Sequence, residues 1–428
     1  MSLISGAVTL LHTACGAGIL AIPFAFKPFG LFPGLMVLVV CGIAAIFGLL
    51  LQAKIIKYTP TNEKHSFFIL ATKLHPTLAI LFDLAIAVKC FGVSTSYLIA
   101  IGDFLAVLLD NEYRMNTITF VWLFIILPLS YLRKINALRY TSLLAVTSVF
   151  YLCILVTYHY CKPSEEISEL RGTVSLFLPK SSGISPFKTL PIFVFAYTCH
   201  HNMFAVINEQ KHTDFKRLKF IPLIAISIAC ILYLIVGCLG YATFGANITS
   251  NIVAKYPTNS VLTVLGQTAM LTVVTLAYPL QCQPARASIL NILYALFPKL
   301  KNNKSDVEEA SMNDGYQVDL EENKQQSEPE RIISEPSIIL HSIVTSLILF
   351  GSWCIAVSVN SLAQVLAIVG ATGSTFISFI LPGLFAVVLI PKDNDFGKGK
   401  TLWIWIGGIL MGWGISVMCV SLYAAIFL

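Results

Sequence analysis

Eleven apolar runs divide this chain from end to end, at residues 4–26, 31–56, 79–109, 117–132, 139–160, 187–208, 219–244, 260–283, 337–358, 362–390 and 402–427. A helix needs about 20 apolar residues to cross the hydrocarbon of a bilayer; most runs reach that length, and the fourth falls just short. The pattern predicts an all-α polytopic membrane protein with eleven transmembrane helices. Composition agrees, since 56% of the residues are hydrophobic and only 12% charged, against about 25% charged in an ordinary soluble domain. No Lys or Arg precedes Gly6, and the first run continues past the length of a signal core. It therefore reads as the first span and not as a cleavable signal.

The formal charge of +6 invites a nucleic-acid reading, but the basic residues lie in the loops between spans. With the N-terminus in the cytosol, 20 of the 28 Lys and Arg fall on the inner side and 7 on the outer, with Lys89 inside a span. Cytosolic loops are the ones enriched in these residues, so the N-terminus is expected inside and the C-terminus outside. The sequon at Asn247 then lies in a short outer loop, open to glycosylation. The one at Asn303 faces the cytosol. Residues 299–336 hold ten of the 22 acidic residues and five basic ones, the composition of a disordered acidic cytosolic loop. The eleven cysteines fall mostly within apolar runs and suggest no disulfide framework. His200–His201 lacks partners at metal spacing, and no phosphate-binding loop of the GxxxxGK[ST] type occurs. The chain is thus expected to be no enzyme, to need no cofactor, metal or nucleic acid, and to work in the bilayer as a monomer.

The first run contains "HTACGAGILAIPFAF" at residues 12–26. Gly16 and Gly18 each weaken a helix by about 1 kcal/mol relative to alanine, and Pro23 by roughly 3 kcal/mol. The stretch is suited to a helix break at membrane depth. Such a break survives only where it lines a cavity, and there its N–H groups and helix-end dipole suit an anion such as a carboxylate. The same glycines also suit close helix packing, and both readings stand. The sixth run carries a polar cluster, Tyr197-Thr198-Cys199-His200-His201-Asn202, without Gly or Pro. Because five is odd, a repeat of spans one to five as six to ten must be inverted. Position six then corresponds to position one, where paired interruptions mark a substrate site. The repeats would cover residues 4–160 and 187–390, with 402–427 as an extra helix.

Four motifs in order, "GAGILAIPFAF", "LFDLAIAVKCFGVSTSYLIAIGD", "FVFAYTCHHNMFAVINE" and "GATGSTFISFILPGLF", resemble the amino acid/auxin permease family, and within it the fungal vacuolar amino acid transporters. The resemblance covers nearly the whole chain. It implies a LeuT-like fold of eleven spans, with an amino acid bound between unwound parts of spans one and six. The substrate shell it implies comprises Thr13, Cys15, Gly16, Ala17, Gly18, Tyr97, Tyr197, Thr198 and His200. Backbone at Cys15–Gly18 would take the carboxylate, and Tyr197–His200 the amino group and side chain. A coupling cation would lie between span one and a hydroxyl of span eight, Thr272 or Thr275. Sodium-coupled relatives carry an Asn four residues before the first motif glycine, where this chain has His12. An imidazole is a poor sodium ligand, so the expected coupling ion is a proton.

The resemblance implies a proton-coupled secondary transporter of neutral or polar amino acids in the vacuolar membrane, exporting from lumen to cytosol. The alternatives are an amino-acid-binding nutrient sensor and a sodium-coupled transporter of the plasma membrane. A channel lacks a repeated filter sequence. Within the third span, Lys89 is too isolated to be cheap and is expected to face the bundle and pair with an acceptor or a carboxylate such as Glu209. Asp83 and Asp103 stand near the span ends, within reach of headgroups. The small residues of Gly370–Thr375 suggest close packing, with the hydroxyls bonding between helices.

Overall fold

A computed structural model describes residues 2–59, 65, 67–110, 114–131, 138–179, 184–210, 212–297, 338–394, 396 and 399–427. The acidic loop read at 299–336 and the sequon at Asn303 lie outside them. Among the described residues every regular element is helical. Among the described residues ten helices are long and apolar enough to cross a membrane, and a bent pair at the N-terminus brings the number to eleven when it is counted as one span. The chain is an all-α polytopic membrane protein.

The first span is the bent pair, Leu3–Ala14 and Gly18–Phe26, whose axes meet at 59°. The break falls on the two glycines. Pro23 lies inside the second half without ending it. The later spans are Leu31–Tyr58, Thr77–Leu108, Arg114–Tyr131, Leu143–Cys161, Pro186–Asn208, Phe215–Asn247, Val261–Leu296, Ile338–Ser358, Leu362–Lys392 and Lys400–Phe427. The sixth is interrupted. Its first helix ends at Ala196, a single tight turn covers His200–Asn202, and a second helix runs Met203–Asn208.

The eighth span departs most from the sequence reading. It continues through Pro279 and Pro284 to Leu296, where the apolar run suggests an end at 283. Prolines are tolerated in such helices because neighbouring helices satisfy the freed carbonyls. Arg286, which the sequence assigns to a loop, is consequently buried in this helix. Its guanidinium donates to the Ser130 carbonyl at 3.2 Å and the Thr345 hydroxyl at 3.0 Å.

The two interrupted spans lie together at the centre. The first half of span one packs on the second half of span six, and the second half of span one on the first half of span six. They therefore run antiparallel with their breaks at one level. The seventh span lies along both halves of span one. The tenth span widens into wide-turn helix over Gly370–Ser374 and again over Phe376–Ile380, a distortion frequent at functional sites. Gly370 lets this stretch touch span six, since a Cβ there would fall 2.7 Å from the carbonyl carbon of Pro191.

Candidate functional site

A helix leaves its last carbonyls and its first N–H groups without internal partners, and the dipole makes the two ends partially negative and partially positive. Two broken helices at one level thus offer two ends of each sign. At the negative ends, Ala14 and Ala196 are the final residues of their half-helices. The Tyr233 hydroxyl of the seventh span lies 2.8 Å from the Ala14 carbonyl and 2.7 Å from the Ala196 carbonyl. A phenol has one hydrogen, so it is shared between two acceptors. At the positive end of span one, Gly18 and Ile19 open the second half-helix, and their N–H groups have no acceptor within it. Gly18 also sets the closeness of the breaks: a Cβ there would stand 3.0 Å from the Cα of Ala196.

The unwound residues are held by local bonds. Cys15 N–H donates to Leu11 at 2.8 Å and Gly16 N–H to Ala14 at 2.8 Å. In span six, Thr198 donates its backbone N–H to Phe195 at 2.9 Å and its hydroxyl to Val194 at 3.0 Å. The Asn202 side chain donates to the Thr13 hydroxyl at 2.9 Å and so joins the turn of span six to span one. Ala14, Cys15, Ala17 and Tyr197–His200 are buried, and Thr13, Gly16 and Asn202 are half-buried. Juxtaposed helix ends of both signs match a small zwitterion: carbonyl ends for an ammonium, N–H ends for a carboxylate.

A family profile described as transmembrane amino acid transporter protein matches residues 1–420. The chain belongs to that family. It is 46% identical to vacuolar amino acid transporter 6 of Saccharomyces cerevisiae, with 99% of each chain aligned. It is 45% identical to vacuolar amino acid transporter 5 of the same yeast, over 99% of this chain and 98% of the relative. At a greater distance, sodium-coupled neutral amino acid transporter 7 of Danio rerio is 26% identical over 91% of this chain and 80% of the relative. The resemblance read from the four motifs holds along the whole chain.

In this member of the transmembrane amino acid transporter family, the breaks gather most of the residues that the motifs single out. Thr13, Cys15, Gly16, Ala17 and Gly18 form one wall, and the backbone of Tyr197 and Thr198 the other. Tyr97 reaches in from span three, its hydroxyl 3.1 Å from where a Cβ on Gly16 would lie. The Gly16 N–H is already bonded to Ala14, which leaves Gly18 and Ile19 as the N–H groups at this end without an acceptor in their own helix. The Tyr197 ring turns away, packing edge-on against Tyr233 with centroids 5.1 Å apart.

Several of the singled-out side chains have other partners. His200 Nε2 donates to the Ala45 carbonyl of span two at 3.1 Å, so its ring clamps a neighbouring helix. Thr272 is exposed, and its hydroxyl bonds within its own helix to Thr268 at 2.8 Å; Thr275 does the same to Leu271 at 2.7 Å. His12 does reach span eight, but the small cavity it lines is otherwise apolar, formed by Leu144, Ala145, Val273, Leu276, Ala277 and Leu280. Lys89 meets His201, and Glu209 lies exposed at the end of span six. The aspartates of span three have protein partners: Asp83 accepts from Asn291 at 3.4 Å, and Asp103 pairs with Arg114 at 3.3 Å. The hydroxyls of Thr372 and Thr375 bond within the tenth helix and not across to others.

Sequence reasoning passed over Tyr233, Asn202 and His201 as site residues. His201 and Asn202 stood in the polar cluster, but a pair of adjacent histidines does not reveal which one faces inward. Tyr233 sits in an apolar run, "CILYLIVG", where only its hydroxyl hints at a polar partner.

Proposed function

We propose that this protein is a proton-coupled secondary transporter that moves neutral or polar amino acids across the vacuolar membrane, from lumen to cytosol. One observation carries the reading: two antiparallel interrupted spans bring helix ends of opposite sign to one buried level, with Tyr233 bridging the two carbonyl ends. The pairing of half-helices is what a LeuT-like inverted repeat requires, with repeats at 4–160 and 187–390 and an added helix at 402–427. The names of the two yeast relatives support an amino acid as cargo and the vacuole as the compartment. His12, in a cavity otherwise lined by apolar residues, argues against a sodium site between spans one and eight. The Lys and Arg count supports a cytosolic N-terminus, which turns the outer loops and Asn247 toward the lumen. The protein acts as a monomer in this reading.

The test is uptake of radiolabelled neutral amino acids by proteoliposomes holding the full chain, under an imposed proton gradient or sodium gradient. Accumulation driven by the proton gradient alone, and abolished by a protonophore, is expected. Accumulation driven by sodium at uniform pH overturns the coupling, and binding without flux under any gradient favours a sensor.

A further inference from the structure

Lys89 sits mid-way along the third span and is 3% exposed. Its Nζ lies 3.0 Å from His201 Nε2 and 3.2 Å from Nδ1, and His201 belongs to the turn that restarts span six after its break. Among the described residues the polar side-chain partner of Lys89 is His201, and no carboxylate pairs with it. A permanent ammonium in a dry interior without a counter-charge is costly, whereas an amine that is charged during only part of a cycle is a working group. The mechanism above leaves it unused.

We propose that Lys89 and His201 together form the site that carries the coupled proton. This rests on the proton-coupled reading. Nζ stands almost equally far from both ring nitrogens, so the amine faces the imidazole and is not aimed along one lone pair. The pair holds either one excess proton, as an ammonium against a neutral imidazole, or none. Two excess protons would set like charges face to face with no acceptor between them. The titratable groups nearby are Cys90 on span three and Cys199 and His200 on span six. The tenth span meets Lys89 through Gly373, where a Cβ would lie 3.0 Å from the lysine Cβ. The ninth span meets the same stretch through Gly351 against Phe91, and from the eighth span Cys282 lies near Cys90. Asp83, six residues before Lys89, is bonded to Asn291.

Proton and substrate favour each other at this place. Loading takes one proton from luminal water and forms the Lys89 ammonium against a neutral His201. The added positive charge stands beside the break and is offset by the substrate carboxylate. Release gives that same proton to cytosolic water and restores the neutral amine; no other bond changes. Reciprocity requires that bound substrate raise proton occupancy by the same factor as the proton raises substrate affinity.

The decisive measurement is the ratio of proton flux to amino acid flux in proteoliposomes, using an internal pH dye and a mixture of radiolabelled neutral amino acids. Lys89→Met is expected to lose proton flux per amino acid carried. His201→Gln keeps an acceptor for Lys89 but cannot share a proton, and it is expected to shift the pH profile of uptake while preserving the fold by thermal melting. If Lys89→Met fails to fold, the His201→Gln profile decides. The proposal is overturned if Lys89→Met keeps the wild-type ratio, if the His201→Gln profile is unshifted, or if His12→Asn abolishes proton flux while both other variants retain it. A wild-type protein with no proton flux removes the coupling reading itself, a result separate from any variant's failure.

Discussion

Replacing Gly18 by valine would put a Cβ 3.0 Å from the backbone of Ala196, with more atoms beyond it. Span six cannot yield without opening the break, so Gly18→Val is expected to abolish uptake. Its destabilisation should be modest, about 1–3 kcal/mol for an overpacked site. Gly16→Val meets only the Tyr97 hydroxyl, at 3.1 Å; it too should abolish uptake, by filling the space beside the unwound N–H groups. If either variant transports normally while folded, the substrate lies elsewhere. Tyr233→Phe strips the shared hydrogen from two buried carbonyls. Leaving such groups unsatisfied costs about 1–3 kcal/mol each, so this variant should melt at a lower temperature in detergent than wild type. An unchanged melting temperature would mean that water replaces the hydroxyl.

At the level of elements, the tenth span is held against the sixth by the absence of a side chain at Gly370. Gly370→Leu should prise the two helices apart and lower both melting temperature and uptake; normal values for both would count against this contact. The break in span one was legible because two glycines and a proline penalise a helix in plain view. The break in span six was legible only by its correspondence to span one, because nothing in Tyr197–Asn202 forbids a helix. That interruption is made by tertiary bonds, from Tyr233 to Ala196, from His200 to Ala45 and from Asn202 to Thr13, which no local propensity encodes. The same reason hid the Lys89–His201 contact, whose partners are 112 residues apart. Span eight was misread for the opposite cause: Pro279 and Pro284 look like terminators until the packing around them is known. At the far end of span two, Lys57 is ion-paired with Asp393. Lys54 lies 4.6 Å from the Phe215 ring centroid and 4.8 Å from that of Phe396. Spans two, seven and ten are thus tied outside the central pair, by residues that a charge count treats only as topology signals.

For the whole molecule, the proposed orientation makes a paired prediction. A tag at the C-terminus should be protected in sealed vacuoles, and one inserted near Asp314 should be digested by added protease. Asn247 is exposed, and its amide nitrogen donates to the Leu170 carbonyl at 3.4 Å and the Arg171 carbonyl at 3.2 Å. A glycan on it should shift mobility in a way that Asn247→Gln removes. Digestion of both tags from the same side would refute eleven spans. The Tyr233 hydroxyl bears on how the molecule cycles. An empty carrier must cross back with its binding groups dehydrated, and bare carbonyls would slow that return until only one-for-one exchange ran at speed. In the proposed cycle the phenol takes the place of the departed ammonium on the Ala14 and Ala196 carbonyls, which would let the unloaded protein return on its own. Net efflux into substrate-free buffer should therefore run at a rate near that of exchange, and Tyr233→Phe should slow the first far more than the second.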